Sequence, residues 1–236
     1  MTSVFELSGQ IITSNPQAGD LFLGFDTSSS GIGTSRNLLI DLGPFSALGN
    51  LGSIDLSSDL TAVYGSTFAN VNLQYGVFAV SSTGNITYAT TPIQNALWPK
   101  NSNGQTSVYN PNYLQALGYG NGTGLGYNLA NNINITTHGA WIASTDPSSW
   151  TSQNPQTTPF SAYYSTIESS LGNRDYLDVT PPSSSSTPAS QSGYFNITSG
   201  GVLTYTVTAV PEPKTYALLG LAALGLFMKF RRKRLG

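Results

Sequence analysis

The sequence predicts an all-β fold, a β-sandwich of jelly-roll type with one or two short helices. Short apolar or alternating runs recur along the chain and are bounded by Asn, Pro, Gly and Ser, as is typical of strands joined by turns. Hydrophobic residues make up 39% of the chain, with 13 Tyr and 10 Phe among them, which is enough for a core. No strand pattern alternates with long helices, so an α/β fold is not expected. The roughly 200 residues before the C-terminal tail suit one domain, residues 1–209.

The strands of the first half are predicted from apolar runs between turn residues. Residues 71–80 alternate in polarity, and residues 85–90 follow them after the turn sequence Ser-Ser-Thr-Gly, which predicts a hairpin. The predicted strands are Val4–Ile12, Asp20–Phe25, Asn37–Leu42, Val71–Val80 and Asn85–Thr90.

The second half predicts a further strand at Asn134–Ala143 and a closing hairpin, which pairs Tyr194–Thr198 with Val202–Thr208. Two short helices interrupt the strands, at Asn110–Gly118 and Pro159–Leu171, each with Pro near its start and Gly at or after its end. The Ser/Pro-rich tract at residues 180–192 is either a domain linker or a loop. The hairpin after it favours a loop, because an isolated hairpin is barely stable.

Composition excludes several kinds of chemistry. Cys is absent, so neither disulfides nor thiolate sites exist, and only 8% of residues are charged. Up to residue 210 the chain has three cationic residues against ten carboxylates, a net charge of −7, so no nucleic-acid partner is expected. The sole histidine, His138, rules out multi-histidine metal sites.

The remaining candidates for chemistry have simpler structural interpretations. His138 lies in a predicted strand and is expected to be a satisfied or surface histidine rather than a general base. The pairs Asp55/Asp59 and Asp175/Asp178 are candidates for Ca²⁺ ligands, but carboxylates in turn-rich sequence usually form caps and Asx turns. The sequence therefore predicts no enzyme, no catalytic residue, no metal site and no cofactor.

Glycine and aromatic residues add two weaker signals. Alternate glycines from Gly118 to Gly126 do not match the dinucleotide-binding spacing. Trp98, Trp141 and Trp150 are either core residues or a platform on which sugars stack, and core is the commoner role of aromatic residues in β domains.

The tail at residues 210–236 has a composition unlike the rest of the chain. Thirteen apolar or small residues, Tyr216–Met228, are followed by the cations Lys229, Arg231, Arg232, Lys233 and Arg234. A helix is predicted at residues 215–230, and its thirteen-residue apolar run covers roughly 20 Å, short of the roughly 30 Å hydrocarbon core. Positive charge stays on the cytoplasmic side, so the basic end predicts that residues 1–209 lie outside the cytoplasm.

The triplet Pro-Glu-Pro precedes this run. The tail resembles the PEP-CTERM sorting signal in three features that occur together: the residues Val210, Pro211, Glu212 and Pro213, the apolar run, and the basic end. That resemblance implies a Gram-negative bacterium in which exosortase, a membrane protease-transpeptidase, recognises and removes the tail. Lys214 departs from the Ser or Ala common after the triplet in that family. The implied partners are exosortase and, transiently, the inner membrane.

Parts of the first ninety residues, such as Ala18–Phe25 and Leu39–Gly43, look like a recurrent ectodomain of PEP-CTERM proteins that has no assigned activity. Met1–Glu6 shows no export signal, so we expect numbering from a trimmed start. The predicted function is that of a cell-surface or extracellular-matrix structural protein, as in a biofilm. The alternatives are a carbohydrate-binding module for matrix polysaccharide and a glycan hydrolase, which needs two carboxylates facing a cleft.

Overall fold

The computed structural model describes residues 19–27, 35–81, 86–97, 136–145, 150, 168–181 and 185–208. These residues form ten strands and one α-helix, α1 (Ser57–Tyr64), with 3₁₀ turns at Phe45–Asn50 and Phe68–Asn70. The strands are β1 (Asp20–Thr27), β2 (Arg36–Pro44), β3 (Ser53–Asp55), β4 (Leu73–Val80), β5 (Thr87–Thr91), β6 (Ala140–Ala143), β7 (Ser169–Ser170), β8 (Arg174–Thr180), β9 (Ser190–Ile197) and β10 (Val202–Val207).

All ten strands belong to one curled antiparallel sheet in the order β3-β10-β9-β8-β5-β4-β1-β2-β6, with β7 also pairing with β4. The predicted all-β class is confirmed. The predicted two-sheet sandwich is not confirmed, because the described strands form a single sheet that curls like a half-barrel. The tract predicted at residues 180–192 begins at the end of β8 and extends into β9, and these two strands pair directly with each other.

One face of the curled sheet holds the main core. Leu23, Ile40, Val77 and Leu177 are almost completely buried on it, together with Phe195. Leu60, Val63 and Tyr64 of α1 belong to the same cluster. The helix therefore packs against this face and supplies part of the second layer that a curled sheet needs to bury its apolar side chains.

The opposite face is also buried along one row across five strands, although antiparallel sheets commonly leave one face in water. The pairing of adjacent strands places five residues of this row side by side: Asp41, Phe22, Phe78, Ala89 and Asp178. Each of these residues is at most 4% exposed.

Helix α1 contacts strands near both edges of the sheet. At its start, Leu56 donates its N–H to the carbonyl of Gly201 (2.9 Å), beside edge strand β3 and strand β10. At its end, the Tyr64 hydroxyl donates to the carbonyl of Phe25 (2.9 Å) and accepts the N–H of Leu38 (3.0 Å). The completely buried Tyr64 thus completes the hydrogen bonding of β1 and β2.

Several predicted elements are confirmed and two need correction. The strands at 20–25 and 37–42 and both hairpins are present. The predicted helix at 159–171 is wrong at its end, because residues 169–170 form β7, paired with β4. The predicted strand at 134–143 is correct only from Ala140, since residues 136–139 form a bend closed by the N–H of Thr136 bonding the carbonyl of Gly139 (2.9 Å). Strand 4–12 and helix 110–118 lie outside the described residues.

Candidate functional site

The folded sheet ends next to the predicted sorting residues. Thr208 donates its N–H to the carbonyl of Ser192 (3.1 Å) and its hydroxyl to the carbonyl of Gln191 (3.2 Å). These bonds tie the last described residue to the start of β9. Val210, Pro211, Glu212, Pro213, Lys229, Arg231, Arg232, Lys233 and Arg234 lie outside the described residues, as does the predicted helix 215–230.

The arrangement in the body that most resembles a catalytic site joins His138 to Asp59 of α1. The Asp59 carboxylate accepts the backbone N–H of His138 through Oδ1 (2.7 Å) and contacts Nδ1 of the ring through Oδ2 (2.7 Å). Asp59 is completely buried, whereas the His138 side chain is 29% exposed. A carboxylate that contacts Nδ1 is also found in acid–base dyads, in which Nε2 is the atom that exchanges a proton with the substrate or nucleophile.

A triad would need a nucleophile at Nε2, whereas the described hydroxyl groups that contact this pair lie near Asp59 Oδ2. Ser58 Oγ contacts Asp59 Oδ2 (3.4 Å) and Thr137 Oγ1 (3.3 Å), which is the Nδ1 side of the ring. The geometry instead makes His138 a link between α1 and the bend that leads into β6. Such a link fits the expected satisfied histidine, although it lies in a bend rather than a strand.

The acidic pair Asp55/Asp59 is divided between two structural roles. Asp55 Oδ1 accepts the N–H of Ser57 (2.9 Å) just before α1, an Asx turn of the kind that the sequence predicted for this carboxylate. Hydrogen bonds from the Ser57 hydroxyl and, to a lesser degree, from the Ser57 backbone N–H lower the pKa of the exposed Asp55 carboxyl. Asp59 faces His138 instead, so the two carboxylates do not share a ligand.

The pair Asp175/Asp178 is buried in β8, and its members face opposite sides of the sheet because they are three residues apart in a strand. Asp175 Oδ1 accepts the Ser169 hydroxyl (3.1 Å) on the core face. Burial raises the pKa of Asp175 well above its usual range; hydrogen bonds from Thr90 and Ser169 oppose this, and Glu168 and Asp178 reinforce it. In the described ranges, no group of three or more His, Cys, Asp or Glu side chains is placed to hold a metal ion.

A second buried carboxyl pair, Asp20 and Asp41, was not singled out from the sequence. Asp41 Oδ1 accepts the N–H of Gly43 (2.8 Å), whose positive φ of 73° turns the chain back towards it. Burial raises the pKa of Asp41 to about 7; the Gly43 bond opposes this, and the charge and hydrogen bond of Asp20 add to it. The two residues are 21 positions apart and meet only because β1 pairs with β2 across a bulge, so no local pattern reveals them.

The two described tryptophans have separate environments. Trp150 is 6% exposed, its ring lies against the backbone of Gly24, and its Nε1–H donates to Glu168 Oε1. Only glycine fits at position 24, because a Cβ would collide with the indole. Trp141 is half-buried beneath the guanidinium of Arg36, which lies 4.2 Å from the ring centroid. Trp98 and the glycines 118–126 lie outside the described residues.

An outward aromatic group lies instead on β8 and β9. The Arg174 guanidinium lies 4.5 Å from the ring centroid of Tyr194, which is 5.7 Å from the ring of Tyr176. The Tyr176 hydroxyl reaches Gln94 Oε1 at 3.5 Å. Arg174 covers Tyr194, and Tyr176 is 7% exposed, so the arrangement presents little open ring face.

Comparison with curated proteins and with solved structures finds no significant match. Within the described ranges, none of the helices has the length and apolar character needed to cross a bilayer. The scan of protein families matches residues 209–233 to the PEP-CTERM protein-sorting motif. The match begins one residue after Thr208 and contains every predicted sorting residue apart from Arg234. The chain therefore carries a PEP-CTERM protein-sorting motif, which marks it as an exported surface protein processed by an exosortase-type enzyme.

Proposed function

We propose that this chain is a structural protein of the cell surface or extracellular matrix of a Gram-negative bacterium. The β body forms the exported part, and the tail delivers it. The observation that carries the proposal is the match of residues 209–233 to the PEP-CTERM protein-sorting motif. Its partner is an exosortase-type transpeptidase acting at Pro211–Pro213 while the apolar run resides in the inner membrane.

The residues around the triplet suit entry into a protease cleft. The two prolines have fixed φ and no N–H, and they disfavour helix in the residues before them. An extended segment between a folded sheet and a membrane helix is the form in which a protease cleft accepts a substrate. The cations at 229–234 retain the end of the tail on the cytoplasmic side.

A structural role for the body is supported by where its polar side chains point. His138 and Asp59 bond each other, Asp175 bonds Ser169, and Glu168 bonds Trp150, so each group has a partner inside the fold. The runner-up, a carbohydrate-binding module, would need exposed aromatic faces, whereas Trp150 is buried and Tyr194 is covered by Arg174. A glycan hydrolase would need two carboxylates facing a cleft. Among the described carboxylates, Asp175 and Asp178 face opposite sides of the sheet, and Asp20 and Asp41, which do meet, are at most 4% exposed.

Mass spectrometry of surface protein from the native host tests the sorting proposal. We expect a mature form that ends before Tyr216, and a full-length form when exosortase is absent. The double variant Pro211→Ala/Pro213→Ala should stay full-length in the membrane fraction, whereas the matched control Pro188→Ala, an exposed proline in the loop before β9, should be processed normally. An intact Gly236 terminus on wild-type surface protein would overturn the proposal.

A further inference from the structure

One face of β8 and β9 carries a strip of guanidinium, aromatic and amide side chains, on the side of the sheet opposite the main core. Strand pairing places Arg174 beside Asn196 and Tyr176 beside Tyr194. The four residues share a face because each pair is two residues from the next along its strand. Gln94, in the segment after β5, reaches this face, where its Oε1 lies 3.5 Å from the Tyr176 hydroxyl. We call these five residues the Arg174 strip.

Arg174 is exposed and is held in place by the ring beneath it. Its guanidinium lies 4.5 Å from the ring centroid of Tyr194, and this ring lies 5.7 Å from the ring of Tyr176. A cation–π contact uses the charge of the guanidinium and not its N–H groups. The five N–H donors form a rigid planar fork that matches the two oxygens of a carboxylate. The strip therefore presents a fixed guanidinium to which a carboxylate can bind through two hydrogen bonds.

The negative charge of the body does not cancel this cation. Of the ten carboxylates before residue 211, eight are described, and six of these are at most 4% exposed: Asp20, Asp41, Asp59, Glu168, Asp175 and Asp178. The other two described carboxylates, Asp26 on β1 and Asp55 on β3, are each three strand positions from β8. Three strand spacings amount to about 14 Å along the sheet, more than the Debye length of about 8 Å at physiological salt. The described carboxylates at the surface are thus screened from Arg174, and Glu6 and Asp146 lie outside the described residues.

The amide groups beside the guanidinium suit the hydroxyl groups of a sugar. Gln94 and Asn95 are exposed. The Asn95 N–H donates to Oε1 of Gln191 on β9 (2.9 Å), which ties their segment to the sheet. An amide side chain both donates and accepts hydrogen bonds, as a hydroxyl group does. A polymer that offers carboxylates and hydroxyl groups side by side matches the strip, and uronic-acid polysaccharides have that chemistry. The sorting motif marks the body for export to the surface, where such polymers occur.

We propose that the Arg174 strip binds a uronic-acid polysaccharide of the cell surface or matrix. The guanidinium of Arg174 binds the carboxylate of one sugar unit, and the amides of Gln94 and Asn95 bind hydroxyl groups of the next. Tyr194 supports the guanidinium and needs no open ring face, so this site differs from a stacking platform. One exposed ionic contact is weak, but a polymer with a carboxylate on each unit contacts several bodies at once and gains avidity. The inference rests on the proposed surface location and names the polymer that the body holds.

Binding of the full-length chain to immobilised polygalacturonate tests the site. The protein is kept in nonionic detergent because of its apolar tail, and binding is measured at low salt, with neutral dextran as the comparison. We expect wild type to bind polygalacturonate and not dextran. Arg174→Gln should abolish the binding, and Arg174→Lys, which keeps the charge but not the fork, should weaken it several-fold.

The matched control is Arg36→Gln, at the half-buried arginine over Trp141, and it should bind as wild type does. Because Arg174 is exposed, Arg174→Gln should also melt like wild type by circular dichroism. The assigned site is wrong if Arg174→Gln binds as well as wild type, if Arg36→Gln loses binding equally, or if wild type does not bind at all.

Poly-L-glutamate separates a sugar ligand from an acidic polypeptide. It carries carboxylates without hydroxyl groups, so we expect it to bind several-fold more weakly than polygalacturonate. The double variant Gln94→Ala/Asn95→Ala should reduce binding to polygalacturonate several-fold and leave binding to polyglutamate unchanged. Equal binding of the two polymers by wild type would contradict the sugar assignment. Processing of the tail, followed by mass spectrometry, is a separate readout: a chain that is processed but does not bind contradicts only the polysaccharide site, whereas a chain that is not processed contradicts the sorting proposal.

Discussion

Replacing Asp41 by Asn should change how the stability of the body depends on pH. The pKa of Asp41 is raised from 3.8 to about 7 in the folded protein, chiefly by burial. Each pH unit of difference between folded and unfolded pKa corresponds to about 1.4 kcal/mol, so the neutral carboxyl contributes about 4 kcal/mol relative to the ionised one. Because the folded pKa is the higher one, this stability is fully present below about pH 4 and is lost as the pH rises to about 7.

The introduced asparagine keeps the shape of the neutral carboxyl and a carbonyl oxygen that accepts the N–H of Gly43. Urea unfolding at a series of pH values from 4 to 8 measures the effect. We expect the free energy of unfolding of Asp41→Asn to gain about 4 kcal/mol relative to wild type between pH 4 and pH 8.

The matched control is Asp55→Asn. Asp55 is exposed and its pKa is lowered, so its contribution has the opposite sign: it is present above the unfolded pKa and lost in acid. Parallel curves for wild type and Asp41→Asn from pH 4 to pH 8 would refute the reasoning, because they would mean that Asp41 ionises equally in the folded and unfolded states.

Five further substitutions test contacts of the body by urea unfolding at constant pH. His138→Gln should lower the free energy of unfolding by about 1 kcal/mol or less, because the glutamine amide can replace the ring as a donor to Asp59. His138→Ala leaves a buried carboxylate oxygen without that donor and should lower it by about 1–3 kcal/mol. Equal losses for the two variants would contradict the role of His138 as a link between α1 and the bend. Tyr64→Phe removes the hydroxyl that serves Phe25 and Leu38, and we expect a loss of about 1–3 kcal/mol with no change in the fold by circular dichroism. Trp150→Ala should lower the free energy of unfolding by about 3–5 kcal/mol, because removal of a buried indole leaves a cavity. Trp141→Ala, at a half-buried position, should lower it by less. A larger loss for Trp141→Ala than for Trp150→Ala would refute the assigned burial.

Secondary-structure elements that depend on residues close together in the sequence were predictable. The β9–β10 hairpin follows from alternation around Ser-Gly-Gly, and Gly201 adopts the positive φ of 88° that such a turn requires. The β4–β5 hairpin follows in the same way from residues 81–84.

Secondary-structure elements that depend on contacts between residues far apart in the sequence were not predictable. Strand β8 carries an arginine and two aspartates, which suggested a turn-rich loop, yet β5 and β9 pair with it on both sides and bury both carboxylates. Helix α1 was also missed, since its eight residues bury Asp59, a residue type that sequence patterns place in water. The pair His138–Asp59 joins residues 79 positions apart, and no spacing rule reaches that far.

The scarcity of cations explains which groups stabilise the buried carboxylates. With three Lys or Arg side chains before residue 211, and two of them over aromatic rings, few cations are left to pair with ten carboxylates. A buried carboxylate without a cation is stabilised by hydrogen-bond donors or by a proton. Asp59 uses His138, Asp175 uses hydroxyl groups, and Asp41 uses a backbone N–H and a raised pKa. A body built in this way should be most stable in mildly acidic surroundings, because Asp41 and Asp175 both gain from protonation in the folded state.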